Sequence, residues 1–288
     1  MHAVQTLTPP LRSRSGDLVV HQIPAWQDNF IYLLVHQPSG ACAAVDGPEA
    51  TPALDKAKTL GLSLDTIFNT HTHFDHIGIN RDLLEKGRRL RRVVGARKKA
   101  SEVPGLTEAV EDGSQVDFGG LLGDVMLTEG HIDGHVCFLF EDLLFSGDTL
   151  FAGGCGYLFD GPPAKMHASL QRLAQLDPDT KVLCAHEYTQ DNLRFAWSVE
   201  PGNPALAERI RQVWALRAEG KATVPTTIGL ERATNPFVRS DSAEIKARVE
   251  AALGRRLSSQ EEVFAATREL KDRKDYREQG DDQLPLER

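Results

Sequence analysis

Asn69-Thr70-His71-Thr72-His73-Phe74-Asp75-His76 places four potential metal ligands within six residues, directly after an apolar run at 64–68 that reads as a strand. In extended backbone, residues two apart point to the same side, so His71 and His73 can share one metal ion. Asp75 and His76 fall where the chain turns towards a helix and aim at a neighbouring point. Two imidazoles plus a carboxylate–imidazole pair suit Zn²⁺, Mn²⁺ or Fe. Four ligands do not complete two ions, so other parts of the chain must contribute.

Three further segments have the right character. Gly130-His131-Ile132-Asp133-Gly134-His135 lies between two predicted strands, Ser146-Gly147-Asp148-Thr149 ends one, and Cys184-Ala185-His186-Glu187 ends another. Loops at strand ends are where active sites concentrate in layered α/β folds. His131, Asp148 and His186 complete the set, with Asp148 able to bridge both ions. A lone histidine at 131 or 186 would more naturally be structural, and it is the whole set that argues for chemistry. His135 reads as a hydrogen-bonding or packing partner rather than a ligand, and His2, His21, His36 and His167 as surface or packing residues.

Around these segments the chain divides in two. Short apolar strands are predicted at 18–23, 30–35, 41–45, 64–68, 92–94, 124–127, 136–140, 143–145 and 182–184, with helices at 50–60 and 165–176. Beyond about residue 190, helical periodicity prevails at 205–219, 242–253 and 259–276. The expectation is a mixed α/β catalytic domain over 1–190 and a smaller helical, substrate-binding domain over 191–288. The first sixteen residues lack an apolar core for a secretory signal and read as a short disordered tail.

Composition narrows the function. A net charge of −8 over 288 residues, with 26% charged residues, argues against general affinity for nucleic acid. The basic run over 86–99 reads as a solvated helix end and surface strand. No apolar run approaches the roughly 20 residues that span a bilayer. Cys42, Cys137, Cys155 and Cys184 lack CxxC spacing and read as buried free thiols in a reducing compartment. No GxSxG elbow is present, which disfavours a covalent serine route. Two ions would instead lower the pKa of a bridging water to yield a hydroxide nucleophile, with Asp75 orienting it while also ligating. One ion would hold the developing oxyanion.

The HxHxDH motif with a later His, Asp and His resembles the metallo-β-lactamase superfamily. Within it, the chain is similar to the glyoxalase II (hydroxyacylglutathione hydrolase) family from Ile23 to about Lys274. The similarity includes Gly147-Asp148-Thr149-Leu150-Phe151, Gly154-Cys155-Gly156, Cys184-Ala185-His186-Glu187-Tyr188-Thr189 and Val199-Glu200-Pro201-Gly202-Asn203. The resemblance implies an αββα sandwich followed by a helical domain that helps hold glutathione. It assigns His71, His73 and His131 to one ion, Asp75, His76 and His186 to the other, and Asp148 to both, with Zn²⁺ favoured over Fe or Mn. It also implies a cytoplasmic, monomeric enzyme that hydrolyses S-D-lactoylglutathione to D-lactate and glutathione. A thiolate leaves without a strong general acid, which fits the absence of one here.

The resemblance places Tyr188, Arg268 and Lys271 against glutathione. The two cations stand at i and i+3 of a helix and share a face that could clamp a carboxylate. Tyr157 and Phe159, in the loop after Gly156, stand where the family usually carries a cation and a tyrosine. That removes a charge-assisted contact worth roughly 1.5–3 kcal/mol. Glu129 and Ile79 replace an expected proline and glycine at positions that do not ligate. Rival readings are a superfamily hydrolase of another thioester or a lactone, a persulfide dioxygenase, and a binding protein. The dioxygenases generally lack the long helical domain, and a binding protein would show broken ligand positions.

Overall fold

The computed structural model describes residues 4–6, 8–88 and 90–287. A first sheet of seven strands runs in chain order: β1 (Leu11–Arg12), β2 (Leu18–Ala25), β3 (Asn29–His36), β4 (Ala41–Val45), β5 (Thr66–Phe68), β6 (Arg92–Ala96) and β7 (Glu108–Val110). Helices α1 (Thr51–Thr59) and α2 (Gly78–Glu85) are the crossovers that keep β4, β5 and β6 parallel. The second sheet contains β8 (Gln115–Phe118), β9 (Leu121–Leu127), β10 (Val136–Phe140) and β11 (Leu143–Gly147). A small hairpin, β12 (Leu150–Phe151) and β13 (Gly154–Cys155), and helix α3 (Pro163–Leu173) precede β14 (Lys181–Cys184), which returns parallel to β11.

Alternation along β3 shows why four layers form. Phe30, Tyr32 and Leu34 enter the core between the sheets with Phe68, Phe138, Phe140 and Phe145. Ile31, Leu33 and Val35 point the other way and pack under Ala53 and Ala57 of α1 and Leu83 of α2. A strand that buries both faces needs an apolar run rather than alternation, and Phe30–Val35 is one. On the far side, Cys137 and Leu144 pack against Met166, Leu170 and Leu173 of α3. The architecture is therefore an αββα sandwich, followed by α4 (Thr189–Val199), α5 (Pro204–Ala218), β15 (Thr226–Thr227), α6 (Ile228–Thr234), α7 (Ala243–Leu253) and α8 (Gln260–Arg273).

Some expectations need correcting. Leu11 and Arg12 pair with Val20 and Val19, so the N-terminal stretch is not simply a disordered tail. The strand in the basic run is interior: β6 lies between β5 and β7, with Val93 and Val94 fully buried. Its Arg92 is held by Glu108 and lies over the Phe68 ring. The last long helix stops at Arg273, because Lys274 adopts a left-handed φ of 64°. His2 and Arg89 lie outside the described residues. No helix among the described residues is long and apolar enough to cross a membrane.

The helical segment is tied to the sandwich by more than apolar packing. β15 pairs with β14 at the edge of the second sheet. Arg209 of α5 and Glu231 of α6 form a fully buried ion pair. Glu231 also accepts from the backbone N–H of Gly153 and from Asn235, whose amide donates to the Gly154 carbonyl. Removing one partner of such a pair leaves an uncompensated buried charge. Glu231→Ala is expected to lower stability by about 3–5 kcal/mol in urea unfolding followed by circular dichroism; a loss under 1 kcal/mol would show the pair is dispensable.

Candidate metal centre

One edge of the sandwich collects the loops that follow β4, β5, β9, β11 and β14. The sheets are joined there by backbone hydrogen bonds, Val136 N–H to the Thr70 carbonyl (2.8 Å) and Phe30 N–H to the Ala185 carbonyl (2.8 Å). Two glycines let the loops approach. A Cβ on Gly147 would lie 2.4 Å from Thr70 Oγ1, and one on Gly156 would lie 2.1 Å from the Asp148 carbonyl oxygen. Gly147 also has φ 48°, a conformation that other residues resist.

Seven side chains predicted from separate segments meet at this edge. His71, His73, His131 and Asp148 form one group, and Asp75, His76 and His186 another, with the ligand atoms of each group within 4.8 Å of one another. Asp148 faces both. Its Oδ2 lies 3.5 Å from His131 Nε2, while its Oδ1 lies 3.5 Å from His76 Nε2 and 3.4 Å from His186 Nε2. Asp75 Oδ2 lies 3.6 Å from His76 Nε2 and 3.4 Å from His186 Nε2.

Hydrogen bonds behind the imidazoles decide which nitrogen faces inward. The Thr70 hydroxyl donates to Asp46 (2.6 Å) and so accepts from His71 Nδ1 (3.0 Å). His131 Nδ1 donates to the Tyr157 carbonyl (2.7 Å), His76 Nδ1 to Asp46 (2.9 Å) and His186 Nδ1 to Asp28 (3.0 Å). In a neutral ring, each of these bonds leaves the Nε2 lone pair bare and aimed at the centre. His71 Nε2 and His131 Nε2 consequently both confront His73 Nδ1, at 3.1 and 3.0 Å. A single ring nitrogen can donate to only one of them. His76 Nε2 and Asp148 Oδ1 are buried with no hydrogen-bond partner at all. Bare lone pairs and an orphaned carboxylate oxygen are what a pair of cations would satisfy.

The electrostatics agree. Burial holds His71, His73 and His131 below the usual histidine range, in the neutral form that binds metal. His76 differs: Asp148, Asp46 and Asp75 overcome burial and push its pKa up to about 9, so this ring attracts a proton that a metal ion would have to displace. Asp148, despite burial, is held down at about 2 by His186, His76 and His131.

Asp46 and Asp28 belong to no ligand motif that would mark them in the sequence. Asp46 also accepts the Thr70 backbone N–H (2.8 Å) and stands at a left-handed φ of 51° after β4. Asn29 donates to Asp75 Oδ2 (3.0 Å). His135 Nε2 accepts from the Asp148 backbone N–H (3.0 Å) beneath the His71 ring, so it holds the loop. His36 bonds Ser39, and His167 bonds Ser240.

Residues 38–186, just over half of the chain, match the family described as the metallo-beta-lactamase superfamily, and 187–274 match the hydroxyacylglutathione hydrolase C-terminus. The hydroxyacylglutathione hydrolase of Synechococcus sp. (strain JA-2-3B'a(2-13)) is 49% identical over 256 residues, 88% of this chain and 98% of the relative. That of Methylococcus capsulatus is 48% identical over 257 residues, with the same coverage. The chain belongs to the hydroxyacylglutathione hydrolase family. Among solved structures, ETHE1 from Myxococcus xanthus shares the fold, with a TM-score of 0.59 at 24% identity over 88% of this chain and 97% of that one. TTHA1623, solved in a di-iron-bound form, has a TM-score of 0.51 at 26% identity over 76% of this chain and 98% of that one. With the geometry above, membership of the superfamily makes this edge a dinuclear metal site.

The residues that the hydroxyacylglutathione hydrolase resemblance places against substrate have different settings. The Tyr188 ring lies flat on His186, at 4.7 Å and 3°. Burial and nearby carboxylates, Asp28 first, raise its pKa, so its hydroxyl stays neutral. Phe159 is exposed and packs edge-on against His73 and His131, and Tyr157 is exposed beside it. Arg268 and Lys271 do share a face, but that face is buried. Arg268 is spent on Asp272, the Cys155 carbonyl and the Phe237 ring, and Lys271 on Asp191 and the Tyr276 ring. A clamp with two free cations is therefore not preformed, and a substrate carboxylate would have to exchange with Asp272 or Asp191. Of the two departures from the family pattern at positions that do not ligate, Ile79 fills space beside Gly47 in the core under α1 and α2. Glu129 accepts from Gly134 N–H (2.8 Å) and pairs with Lys98, bracing the His131 loop.

Asp46 gives the sharpest test of this arrangement. Asp46→Asn keeps the shape but removes the charge that fixes His76. Metal affinity, measured by competition with a chromophoric chelator, is expected to fall about 10–100-fold; unchanged affinity would remove Asp46 from the site.

Proposed function

We propose that this chain hydrolyses 2-hydroxyacyl thioesters of glutathione, S-D-lactoylglutathione foremost, to the hydroxy acid and glutathione. The observation that carries this reading is the seven-residue convergence around Asp148 in a chain 49% identical to a hydroxyacylglutathione hydrolase. His71, His73 and His131 would hold one ion, Asp75, His76 and His186 the other, and Asp148 both. Zn²⁺ suits this nitrogen-rich set, with Fe or Mn compatible. Bound ions would lower the pKa of water and stabilise the oxyanion that develops on the thioester carbonyl.

The protein's own part is to orient. Asp75, steadied by Asn29, holds the proton of the attacking water and aims its oxygen at the acyl carbon. As the carbon–sulfur bond breaks, the thiolate departs without needing an acid, its pKa being near 8.5. Tyr188 offers a neutral hydroxyl to the glutathione backbone, Tyr157 and Phe159 pack against the thiol half, and Arg268 and Lys271 receive a carboxylate by exchange. Four buried free cysteines fit a reducing cytoplasm, where glutathione is abundant.

A second reading, a superfamily hydrolase of a different thioester or a lactone, is favoured by one observation. Position 157 carries an exposed tyrosine, and the cations of α8 are already paired. Comparing kcat/KM across lactoylglutathione, acyl-coenzyme A, lactone and β-lactam substrates separates the two. The glutathione thioester is expected to lead by at least tenfold, and a lead by any other class would overturn the proposal. Tyr157→Arg is expected to lower KM for lactoylglutathione about tenfold with kcat unchanged, the worth of one charge-assisted contact.

A further inference from the structure

Four exposed aromatic side chains lie on the loops that carry the metal-site residues, as two separate pairs. Tyr157 and Phe159 form one, 4.8 Å apart, with Phe159 against His73 and His131. Trp26 and Phe74 form the other, 5.9 Å apart. They are 54% and 63% exposed, which is costly for such large apolar surfaces unless something covers them. Phe74 is inserted between His73 and Asp75. Trp26 opens the turn between β2 and β3 that carries Asp28 to His186 and Asn29 to Asp75. Its φ of 47° is a left-handed conformation that a bulky residue rarely adopts. The turn thus holds an indole outward at a backbone cost, beside the group that contains Asp75, His76 and His186.

We propose that Trp26 and Phe74 form the acyl subsite of this centre, a platform for the carbon skeleton of 2-hydroxyacyl groups with an apolar or aryl substituent. The inference rests on the thioester reading above and assigns the half of the substrate which that reading leaves unplaced. Hydrolysis cuts between acyl carbon and sulfur, so the two halves extend from the metal centre in different directions. The Tyr157–Phe159 bank is bonded to the helical segment, through Arg268 on the Cys155 carbonyl, and serves the thiol half. The Trp26–Phe74 bank is free for the other. Its charge also selects against glutathione. The adjoining cleft, about 240 Å³ and lined by Pro24, Trp26, Asp28, Asn29, Glu49 and Pro52 among others, has among the described residues no cation in its lining to meet a glutathione carboxylate. An uncharged acyl group meets no such penalty, and an aryl ring gains stacking area on both aromatics.

The test is selectivity, because a merely structural role would lower all substrates together. In the metal-loaded protein, kcat/KM would be measured for mandeloylglutathione and lactoylglutathione, which share the thiol and differ only in a phenyl for a methyl group. The ratio of mandeloyl to lactoyl is expected to fall about fivefold in Trp26→Ala and in Phe74→Ala, and to survive in Trp26→Phe and Phe74→Trp. A ratio within twofold of the parent in both alanine variants, with metal content intact, would overturn the subsite and leave the thioester reading standing. Should Trp26→Ala fail to fold, Phe74→Ala and Phe74→Trp decide alone. If the parent protein hydrolyses neither thioester, the functional reading falls, and the subsite with it.

Discussion

A carboxylate held at the junction of two sheets, 7% exposed and with one oxygen lacking any protein hydrogen bond, cannot stand without compensation. Asp148 is in that position. Its two oxygens face different sets of imidazoles, Oδ2 towards His131 and Oδ1 towards His76 and His186. The backbone that delivers it is constrained as tightly as the charge. Gly147 turns through a left-handed conformation at a point where a Cβ would strike Thr70, His135 receives the Asp148 N–H, and Gly156 leaves room above the Asp148 carbonyl oxygen. The rest of the edge surrounds this carboxylate with imidazoles on both sides, the setting that the proposed sharing between two cations requires.

Much of that arrangement lies in groups that never touch the centre. Asp46 and Asp28 each take the outer N–H of an imidazole, Thr70 and the Tyr157 carbonyl take two more, and every inner Nε2 is thereby left with its lone pair free. The loop bearing His131 is braced by Glu129 on Gly134 and by Lys98 and Lys165 on Asp133. Rigid support on the protein side fixes tautomer and aim before any ion arrives, so that binding does not have to supply the ordering.

Legibility from sequence tracked sequence distance. His71, His73, Asp75 and His76 are neighbours whose strand-to-turn spacing reveals a shared purpose; His131 could be added because it lies between two predicted strands, and Asp148 and His186 because each ends one. The long strands and the αββα order were readable from apolar runs and the family resemblance. Asp46 and Asp28 were not, since each lies far along the chain from the histidine it orients and sits in a turn where an aspartate is ordinary. Helix α2 was legible only as the helix towards which Asp75 and His76 turn, without bounds, and α4 not at all, because it begins directly after the loop that carries His186, where chemistry rather than periodicity dictates the residues. The Arg268–Lys271 pair was readable as a shared helix face but not as a buried one. Asp191, which engages Lys271, is 80 residues away.

We propose that Asp148 joins two cations into one site. Loading the protein with Mn²⁺ and recording electron paramagnetic resonance alongside elemental analysis tests it directly. Two ions per chain with an exchange-coupled spectrum are predicted. One ion per chain, or two with the spectrum of isolated Mn²⁺, would contradict it.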